Sequence, residues 1–461
     1  MTVNAPPPPE LALTPVALRS PSARAVELRL RQTIRSLGPR LGPLVVAKRM
    51  GRAVPDAQLA SETRRAFGRL GATYTKLGQV VASAPGVFGP EIADEFRSLL
   101  DDGRPVPFGR IRAVIESETG RPLDESFARI DPTPIGCASI AVVHRAVLPD
   151  GRDVAVKVTR PGIRRKVSAD LAIMSRILPL LAGRIAGGDS RLVKPMLEGL
   201  REQLSEELDL RNEARTMSHF AKMIADAGLT NIVIPATVSE LSGQRVLVME
   251  FLDGVPIDDV EAVRSFGFDP TPIVEAVVKA WFLTTLRDGV FHGDVHAGNL
   301  MLLADGRVGI LDWGILGRLS DETRHEFRDM IAAALGDDAA WVRVTDRVTE
   351  QFGPMLADRL GISREQIPTF VRGLVEPLLT RPFGEVQLSA LFMGPDSTAA
   401  GGAGFVGTGS RHEPIEFDRG MFLLVKQLLY FERYGKLYLS EVSLLSDRAF
   451  FEAIIATPDE V

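Results

Sequence analysis

The sequence predicts an α+β protein of two lobes, with a helical extension before them and a helical tail after them. Two segments, at residues 139–158 and 300–311, have the strand, turn and strand pattern of β-hairpins, and long helical patterns surround them. The chain has 461 residues, of which 45% are hydrophobic, so it can build more than one core. We therefore expect a small lobe on the first hairpin and a larger lobe on the second.

The N-terminal part is predicted to be a disordered tail followed by helices. Residues 1–19 contain the proline run 6–9, and they lack the charged start and apolar core of a signal peptide. Residues 20–130 are predicted to form a helical extension. Its first part, 20–52, interleaves basic residues with Leu and Val, which suits either an anionic membrane surface or packing on the body of the protein.

The small lobe is predicted to span residues 131–250. Strands at 139–148 and 153–158 flank a Pro-Asp-Gly turn, which is typical of a hairpin. The buried strand 245–250 ends this lobe. Before the hairpin, segment 134–141 is rich in small residues, and we predict a loop there.

The large lobe is predicted to span residues 251–380, and residues 381–461 are predicted to be a linker and C-terminal helices. Segment 394–410 is rich in Gly, Ala, Ser and Thr, as linkers are. An amphipathic helix follows at 417–438, but its apolar run is too short and too interrupted to span a bilayer.

The most informative motif lies around the second hairpin. Asp294 and Asn299 precede its first strand, and Asp312 follows its second strand. Phosphoryl transfer depends on positioning and on Mg²⁺ held by oxygen ligands. In kinases a first Asp positions the nucleophile, while an Asn and a second Asp hold the metal. We therefore predict that Asp294 is catalytic and that Asn299 and Asp312 bind Mg²⁺.

The other half of such a site needs a lysine on a strand and a carboxylate on a helix. Lys157 ends the pattern Val-Ala-Val-Lys in the first hairpin, so it is predicted to bind the α and β phosphates of ATP. Segment 206–214 is predicted to be one helix on which Glu213 is the partner of Lys157. Glu207 and Asp209 would lie on the same helix.

The nucleotide is predicted to lie between the small-residue loop and the strand that ends the small lobe. No glycine-rich G-x-G-x-x-G loop precedes the lysine, and four small residues take its place. The predicted nucleotide contacts are Gly136, Cys137, Ala138, Ser139, Lys157, Glu250 and Leu252.

Composition limits the alternatives. The net charge of −5 gives no electrostatic footprint for nucleic acid. A single cysteine, Cys137, excludes an internal disulfide framework and favours a reducing cytoplasm. A zinc site built from His292, Asp294 and His296 lacks a suitably spaced fourth ligand.

Together with these residues, two further motifs resemble the UbiB/AarF family of atypical kinase-like proteins. Residues 73–80 match the family's K-x-G-Q signature, with Lys76, Gly78 and Gln79, and residues 207–209 match its E-x-D motif. The resemblance implies a bilobal protein-kinase-like fold whose K-x-G-Q helix folds over the active site. It further implies a regulatory role for five residues that would meet there, Lys76, Gly78, Gln79, Glu207 and Asp209.

The resemblance also implies ATP or ADP and Mg²⁺ as cofactors, and a role in isoprenoid quinone or membrane-lipid biosynthesis. The expected partners are an anionic membrane surface or isoprenoid lipid and quinone-biosynthesis proteins, without nucleic acid. The expected location is the cytoplasm, peripherally on the inner face of the membrane, with no transmembrane segment.

Two other functions stay open at this point. The chain departs from the family pattern at Gly136, Val142 and Trp313. Trp313 fits small-molecule phosphotransferases of the aminoglycoside or choline kinase type better, although such enzymes do not need the K-x-G-Q and E-x-D motifs. The third possibility is a nucleotide-regulated scaffold that binds lipid or protein.

Overall fold

The computed structural model describes residues 11, 13–82, 92, 95–96, 105–182, 190–267, 269–386 and 419–456. Helices and small sheets combine in this part of the chain, which confirms the predicted α+β class. Its apolar residues form separate cores, one under the first sheet, one in the large lobe and one under the N-terminal helices.

The N-terminal extension is helical. Its described helices are α1 (Ala23–Arg49), α2 (Asp56–Leu70), α3 (Ala72–Ala82), α4 (Phe108–Thr119) and α5 (Leu123–Ser126). Helix α1 begins after Ser22, whose hydroxyl accepts a hydrogen bond from the Ala25 amide. Gly71, with a φ of 85°, allows the sharp turn between α2 and α3. Because α3 is buried along most of its length, it packs inside the protein.

The small lobe opens with three antiparallel strands, β1 (Arg129–Cys137), β2 (Ala141–Val147) and β3 (Asp153–Thr159). The predicted hairpin is confirmed, because β2 pairs with β3 along its whole length. The loop predicted at 134–141 is only partly right, since β1 continues to Cys137 and leaves 138–140 between the strands. Pro132 and Pro134 lack an N–H, and the edge position and irregular register of β1 accommodate them.

Three helices and two strands follow. They are α6 (Ile163–Ala182), α7 (Ser190–Glu207), α8 (Leu210–Asp226), β4 (Ile232–Val233) and β5 (Val246–Glu250). Strand β5 completes the first sheet, whereas β4 joins the sheet of the large lobe. The single helix predicted at 206–214 is wrong, because α7 ends and α8 begins within it. Asp209 has an extended backbone, and its carboxylate accepts a hydrogen bond from the Arg211 amide. Asp209 thus caps the start of α8, and a capping residue lies outside the preceding helix.

Asp170 on α6 connects the N-terminal extension to the small lobe. Its buried carboxylate accepts hydrogen bonds from the Arg29 guanidinium of α1 at 2.5 and 3.0 Å. It also accepts one from the Thr73 hydroxyl of α3 at 2.9 Å. One buried carboxylate therefore holds both α1 and α3 against α6.

We expect Arg29→Ala to lower the free energy of unfolding by about 3 kcal/mol, because it leaves Asp170 buried without its cation. Chemical denaturation at pH 7 measures the change. Arg31→Ala is the matched control, since Arg31 pairs with Glu27 on the surface and its side chain is 65% exposed. Surface pairs contribute only about 0–1 kcal/mol. Equal losses in the two variants would contradict the anchoring role of Asp170.

The large lobe surrounds a buried central helix. Its elements are β6 (Gly254–Pro256), α9 (Val260–Ser265), α10 (Thr271–Asp288), β7 (Val290–His292), β8 (Leu300–Leu303), β9 (Val308–Ile310), β10 (Leu316–Arg318), α11 (Asp321–Ala334), α12 (Asp338–Leu360) and α13 (Ile367–Thr380). The second predicted hairpin is confirmed by the pairing of β8 with β9. This hairpin lies between β4 and β6, while β7 and β10 form a separate ribbon. The central helix is α10.

The C-terminal helices belong to the core of the large lobe. They are α14 (Arg419–Tyr438) and α15 (Arg448–Ala456). The Phe431 ring packs edge-on against Trp281 of α10 at 5.1 Å, and Phe451 packs on Phe282 at 5.6 Å. The linker predicted at 394–410 lies outside the described residues. Within the described stretches, the helices lack the length and apolar character needed to cross a membrane.

The disordered tail predicted for residues 1–19 is wrong in its described part. Leu11 is buried in the core of the large lobe. The amide and carbonyl of Thr14 both hydrogen-bond the Asn212 side chain at 2.9 Å, and the Val16 amide donates to the Ser205 carbonyl. These long-range contacts hold the segment against α7 and α8. Residues 1–10 and 12 lie outside the described part of the chain.

Candidate active site

The loop between β7 and β8 brings the three residues of the predicted metal half together. The Asn299 side-chain amide donates to the Asp294 carbonyl at 2.9 Å, which fixes its orientation. The Leu311 amide donates to the Asn299 carbonyl at 2.8 Å and holds the loop beside Asp312. His296 has a local role, since its Nδ1 accepts a hydrogen bond from the Gly298 amide. The loop therefore places Asp294, Asn299 and Asp312 in one cleft.

His292 fixes the shape of this loop from below. It is 3% exposed, its Nδ1 accepts a hydrogen bond from the Asp294 amide at 3.0 Å, and its Nε2 lies 3.2 Å from the Leu311 carbonyl. These contacts require a neutral ring with the proton on Nε2. Burial lowers the pKa of His292 to about 4, although Asp294 acts in the opposite direction. His292 is thus a neutral connector between the two acids.

The low pKa of His292 predicts loss of stability in acid. The unfolded chain binds a proton near pH 6.5 that the folded protein does not bind until about pH 4. Stability is therefore full above pH 6.5 and falls as the pH drops toward 4. Between pH 7 and 5 we expect a loss of about 2 kcal/mol that the His292→Asn variant does not show.

Urea denaturation of both proteins at the two pH values measures this difference. His325→Asn, at an exposed position on α11, is the control and should keep the wild-type pH dependence. An unchanged pH dependence in His292→Asn would contradict the neutral, buried state of His292.

Lys157 joins two carboxylates across the cleft. Its Nζ lies 2.7 Å from Glu213 Oε1 on α8 and 2.7 Å from Asp312 Oδ1. Burial alone would lower the pKa of Lys157, but Asp312 and Glu213 outweigh it and raise that pKa. Burial would raise the pKa of Asp312, yet Lys157 holds it well below the usual range. Lys157 is therefore a cation and Asp312 an anion at neutral pH.

The backbone at Asp312 has an unusual conformation, and the packing of the next residue holds it in place. Asp312 has a φ of 53°, a left-handed conformation that side chains other than glycine rarely adopt and that typically persists at functional sites. The next residue, Trp313, is buried against the His292 ring at 4.5 Å and the Phe220 ring of α8 at 4.7 Å. Its indole N–H donates to the Ile310 carbonyl at 2.9 Å. Trp313 therefore couples this turn to the catalytic loop and to α8.

Helix α3 brings Lys76 into the same region. Lys76 is 6% exposed, and its Nζ lies 3.2 Å from Glu207 Oε1 at the end of α7. Gly78 and Gln79 follow on α3. Gly314 lies close to both Asp312 and Glu207, since a Cβ atom built on it would be 3.3 Å from Asp312 and 4.0 Å from Glu207. The pair of Lys76 and Glu207 therefore lies near Asp312, the predicted metal ligand.

Asp209, which was expected to meet α3, makes other contacts. Its carboxylate lies 2.7 Å from the Arg211 guanidinium and 3.2 Å from the Gln244 side-chain amide. Together with its capping bond, these contacts give Asp209 a role at the start of α8. Of the two acids in the E-x-D motif, the structure thus pairs Glu207 with the lysine of α3.

The predicted nucleotide contacts lie at the ends of two strands of the first sheet, with Gly136 and Cys137 at the end of β1 and Glu250 at the end of β5. The Glu250 amide donates to the Ala236 carbonyl at 2.8 Å. A Cβ on Gly136 would make only ordinary contact, at 3.7 Å from Val143. The remaining small residues of this region are half-buried Cys137, Ala138 and buried Ser139.

Asn299 and Asp312 suit a Mg²⁺ ion that is shared with phosphate. Among the residues described, no group of three or more His, Cys, Asp or Glu is placed to cage a metal. Mg²⁺ at phosphoryl-transfer sites keeps waters and takes one or two carboxylates together with phosphate oxygens. A carboxylate that is 45% exposed, beside an oriented amide, meets this requirement.

Sequence reasoning missed the contribution of α14. Lys426 Nζ lies 2.6 Å from Asp294 Oδ1, and both side chains are mostly buried. Burial alone would raise the pKa of Asp294, but Lys426 and His296 outweigh it and lower that pKa. The sequence around Lys426 is that of an ordinary amphipathic helix, so no local signal could have identified this residue.

Comparison with known proteins agrees with this geometry. Residues 98–345 match the model of the ABC1 atypical kinase-like domain. An uncharacterised chloroplastic aarF domain-containing protein kinase of Arabidopsis thaliana is 35% identical over 84% of this chain and 73% of its own. A protein named probable protein kinase UbiB, from Aliivibrio fischeri, is 28% identical over 83% of this chain and 68% of its own.

A solved structure extends the comparison to the fold. Rv3197 of Mycobacterium tuberculosis, determined in complex with erythromycin, is 25% identical to this chain, with a TM-score of 0.50. The match covers 74% of this chain and 84% of that one. The predicted bilobal kinase-like fold is thereby confirmed. The chain belongs to the ABC1 family of atypical kinase-like proteins, which includes the UbiB and AarF proteins.

Proposed function

We propose that this protein binds ATP with Mg²⁺ and transfers or hydrolyses its γ-phosphate. The observation that supports this most is the position of Lys157, 2.7 Å from both Glu213 and Asp312. A buried lysine between these acids can bind the α and β phosphates while Glu213 keeps it in place.

The roles of the other residues follow from their positions. Asn299 and Asp312 would hold Mg²⁺, which neutralises phosphate charge when bound. Asp294 would orient the attacking hydroxyl or water and accept its proton. The Glu250 carbonyl and the Leu252 amide would meet the adenine. The pair of Lys76 and Glu207 would cover the cleft and limit access by protein substrates.

A lipid-linked role is the proposed setting of this activity. Helix α1 exposes Leu28, Ile34, Val45 and Val46, which are 48–57% exposed. Exposed arginines follow the same face at helical spacing, at positions 24, 31, 35 and 49. Arginines beside exposed apolar side chains suit an anionic membrane surface. We propose that the chain acts there, in isoprenoid quinone or other membrane-lipid biosynthesis.

Two alternative functions make different predictions. A small-molecule phosphotransferase of the aminoglycoside or choline kinase type would turn over those acceptors and ignore membranes. A nucleotide-regulated scaffold would bind ATP without releasing phosphate. The first alternative does not need the pair of Lys76 and Glu207. The contact between Lys157 and Asp312 leaves hydrolysis chemically possible, which the second alternative does not require.

The test measures phosphate release from ATP by the full-length protein, alone, with anionic vesicles, with neutral vesicles, and with a quinone-precursor mimic. We expect Mg²⁺-dependent release that anionic vesicles increase. A variant with Arg24→Glu, Arg31→Glu and Arg35→Glu should keep the basal rate and lose the increase. Turnover of choline or aminoglycosides without any vesicle effect would instead favour the first alternative, and binding without release would favour the second.

A further inference from the structure

A lysine on helix α14, Lys426, contacts Asp294, the proposed catalytic acid. Lys426 Nζ lies 2.6 Å from Asp294 Oδ1, and the two side chains are only 14% and 19% exposed. Lys426 comes from a segment 132 residues further along the chain. A buried ion pair at this position bears directly on how Asp294 can act.

The catalytic loop and α14 are joined by a second set of bonds. Gln427 is fully buried, and its side-chain oxygen accepts a hydrogen bond from the Val295 amide at 2.9 Å. Its amide group donates to the Val295 carbonyl at 3.3 Å, and the Tyr434 hydroxyl donates to the same carbonyl at 3.0 Å. Lys426 precedes Gln427 on the helix, and Asp294 precedes Val295 on the loop. The bonds between Gln427 and Val295 therefore hold Lys426 and Asp294 opposite each other.

The packing of α14 indicates a permanent contact and not a removable plug. Leu423, Phe431 and Tyr434 are at most 2% exposed and lie in the core of the large lobe. Releasing the helix would expose this apolar surface to water, which is strongly unfavourable. Lys426 is thus a constant part of the cleft.

The positive charge of Lys426 indicates a role in the reaction. The loop from Asp294 to Asn299 contains no lysine or arginine, so the ammonium group that contacts the Asp294 carboxylate is supplied by α14. We propose that Lys426 is a catalytic residue of this site, which holds Asp294 toward the nucleophile and binds an oxygen of the transferred phosphoryl group. This proposal rests on the proposed function.

In the reaction, the oxygen of the acceptor hydroxyl or water forms a bond to the γ-phosphorus. The bond from the γ-phosphorus to the bridging oxygen breaks, and its electron pair leaves with ADP. The acceptor's proton passes to Asp294. Lys426 keeps its protons and donates hydrogen bonds to Asp294 and to the phosphoryl oxygen, whose negative charge it stabilises.

The experiment compares ATP hydrolysis by the full-length wild type with that of Lys426→Met and Lys426→Arg. We expect Lys426→Met to lower kcat about 100-fold, with little change in the KM and Kd of Mg-ATP, and Lys426→Arg to recover most of the loss. Lys436→Met is the matched control, because Lys436 lies on the same helix, is 41% exposed and pairs with Glu432. It should keep the wild-type kcat.

An unchanged kcat in Lys426→Met would overturn the proposal, and an increased kcat would show that Lys426 blocks Asp294. A loss in Lys426→Arg as large as that in Lys426→Met would also overturn it, since the positive charge would then not matter. Thermal unfolding of each variant shows whether it is folded. If Lys426→Met is unstable, the kcat of Lys426→Arg, which keeps the positive charge, tests the proposal. Wild-type protein that neither binds nor hydrolyses Mg-ATP would overturn the proposed function and this inference together.

Discussion

The Asp312→Asn variant is expected to hydrolyse Mg-ATP about 10³-fold more slowly than the wild type. Asparagine keeps the shape of the side chain but removes the negative charge that Mg²⁺ needs and that Lys157 contacts at 2.7 Å. Asparagine also tolerates the left-handed backbone at this position, where φ is 53°, so the fold should persist. Steady-state phosphate release, measured over a series of Mg²⁺ concentrations, tests the expectation.

Asp305→Asn provides the control for this substitution. Asp305 lies in the turn of the same hairpin, where its side chain pairs with Arg307 and is 51% exposed. It should retain wild-type kcat. If Asp312→Asn hydrolysed Mg-ATP as fast as Asp305→Asn, the assignment of Asp312 as a metal ligand would be wrong.

Opening the proposed cover over the cleft should have the second large effect. Lys76→Ala removes the cation from a pair with Glu207 whose side chains are 7% and 5% exposed. We expect about 3 kcal/mol of lost stability, together with altered nucleotide selectivity and increased autophosphorylation, because α3 no longer closes the site. Chemical denaturation and phosphate incorporation from labelled ATP measure these changes.

The double variant Lys76→Ala with Glu207→Gln separates the effect of an unpaired buried charge on stability from the effect of an open cleft on activity. It removes the unpaired carboxylate, so it should recover much of the stability while leaving the cleft open. Lys76→Arg keeps the ion pair and should resemble the wild type. Unchanged autophosphorylation and nucleotide selectivity in Lys76→Ala would rule out a covering role for α3.

Local patterns were sufficient to predict the two hairpins. Asp294, Asn299 and Asp312 are close in sequence and lie around one hairpin, so their convergence follows from strand pairing. Lys157 and Glu213 are 56 residues apart, but the chemistry of phosphate binding requires such a partner. Their roles stay predictions, while their proximity is now a structural observation.

Features that depend on distant contacts escaped prediction. Residues 11–19 follow a proline run and look like part of a flexible tail, yet Thr14 is held by Asn212, 198 residues away. Nothing near Lys426 in sequence indicates that it meets Asp294. The break at Asp209 was hidden because a helix-capping acid and a helical acid look alike within a charged segment. In each case, tertiary partners decide the conformation.

Nucleotide binding by the full-length protein tests the central claim most directly. Isothermal titration of ATP into the wild type and into Lys157→Met, each with and without Mg²⁺, measures affinity at the site that Lys157, Glu213 and Asp312 form. We predict Mg²⁺-dependent binding to the wild type and a large loss of affinity in Lys157→Met. Binding of equal affinity in both proteins, or no binding by the wild type, would contradict the account.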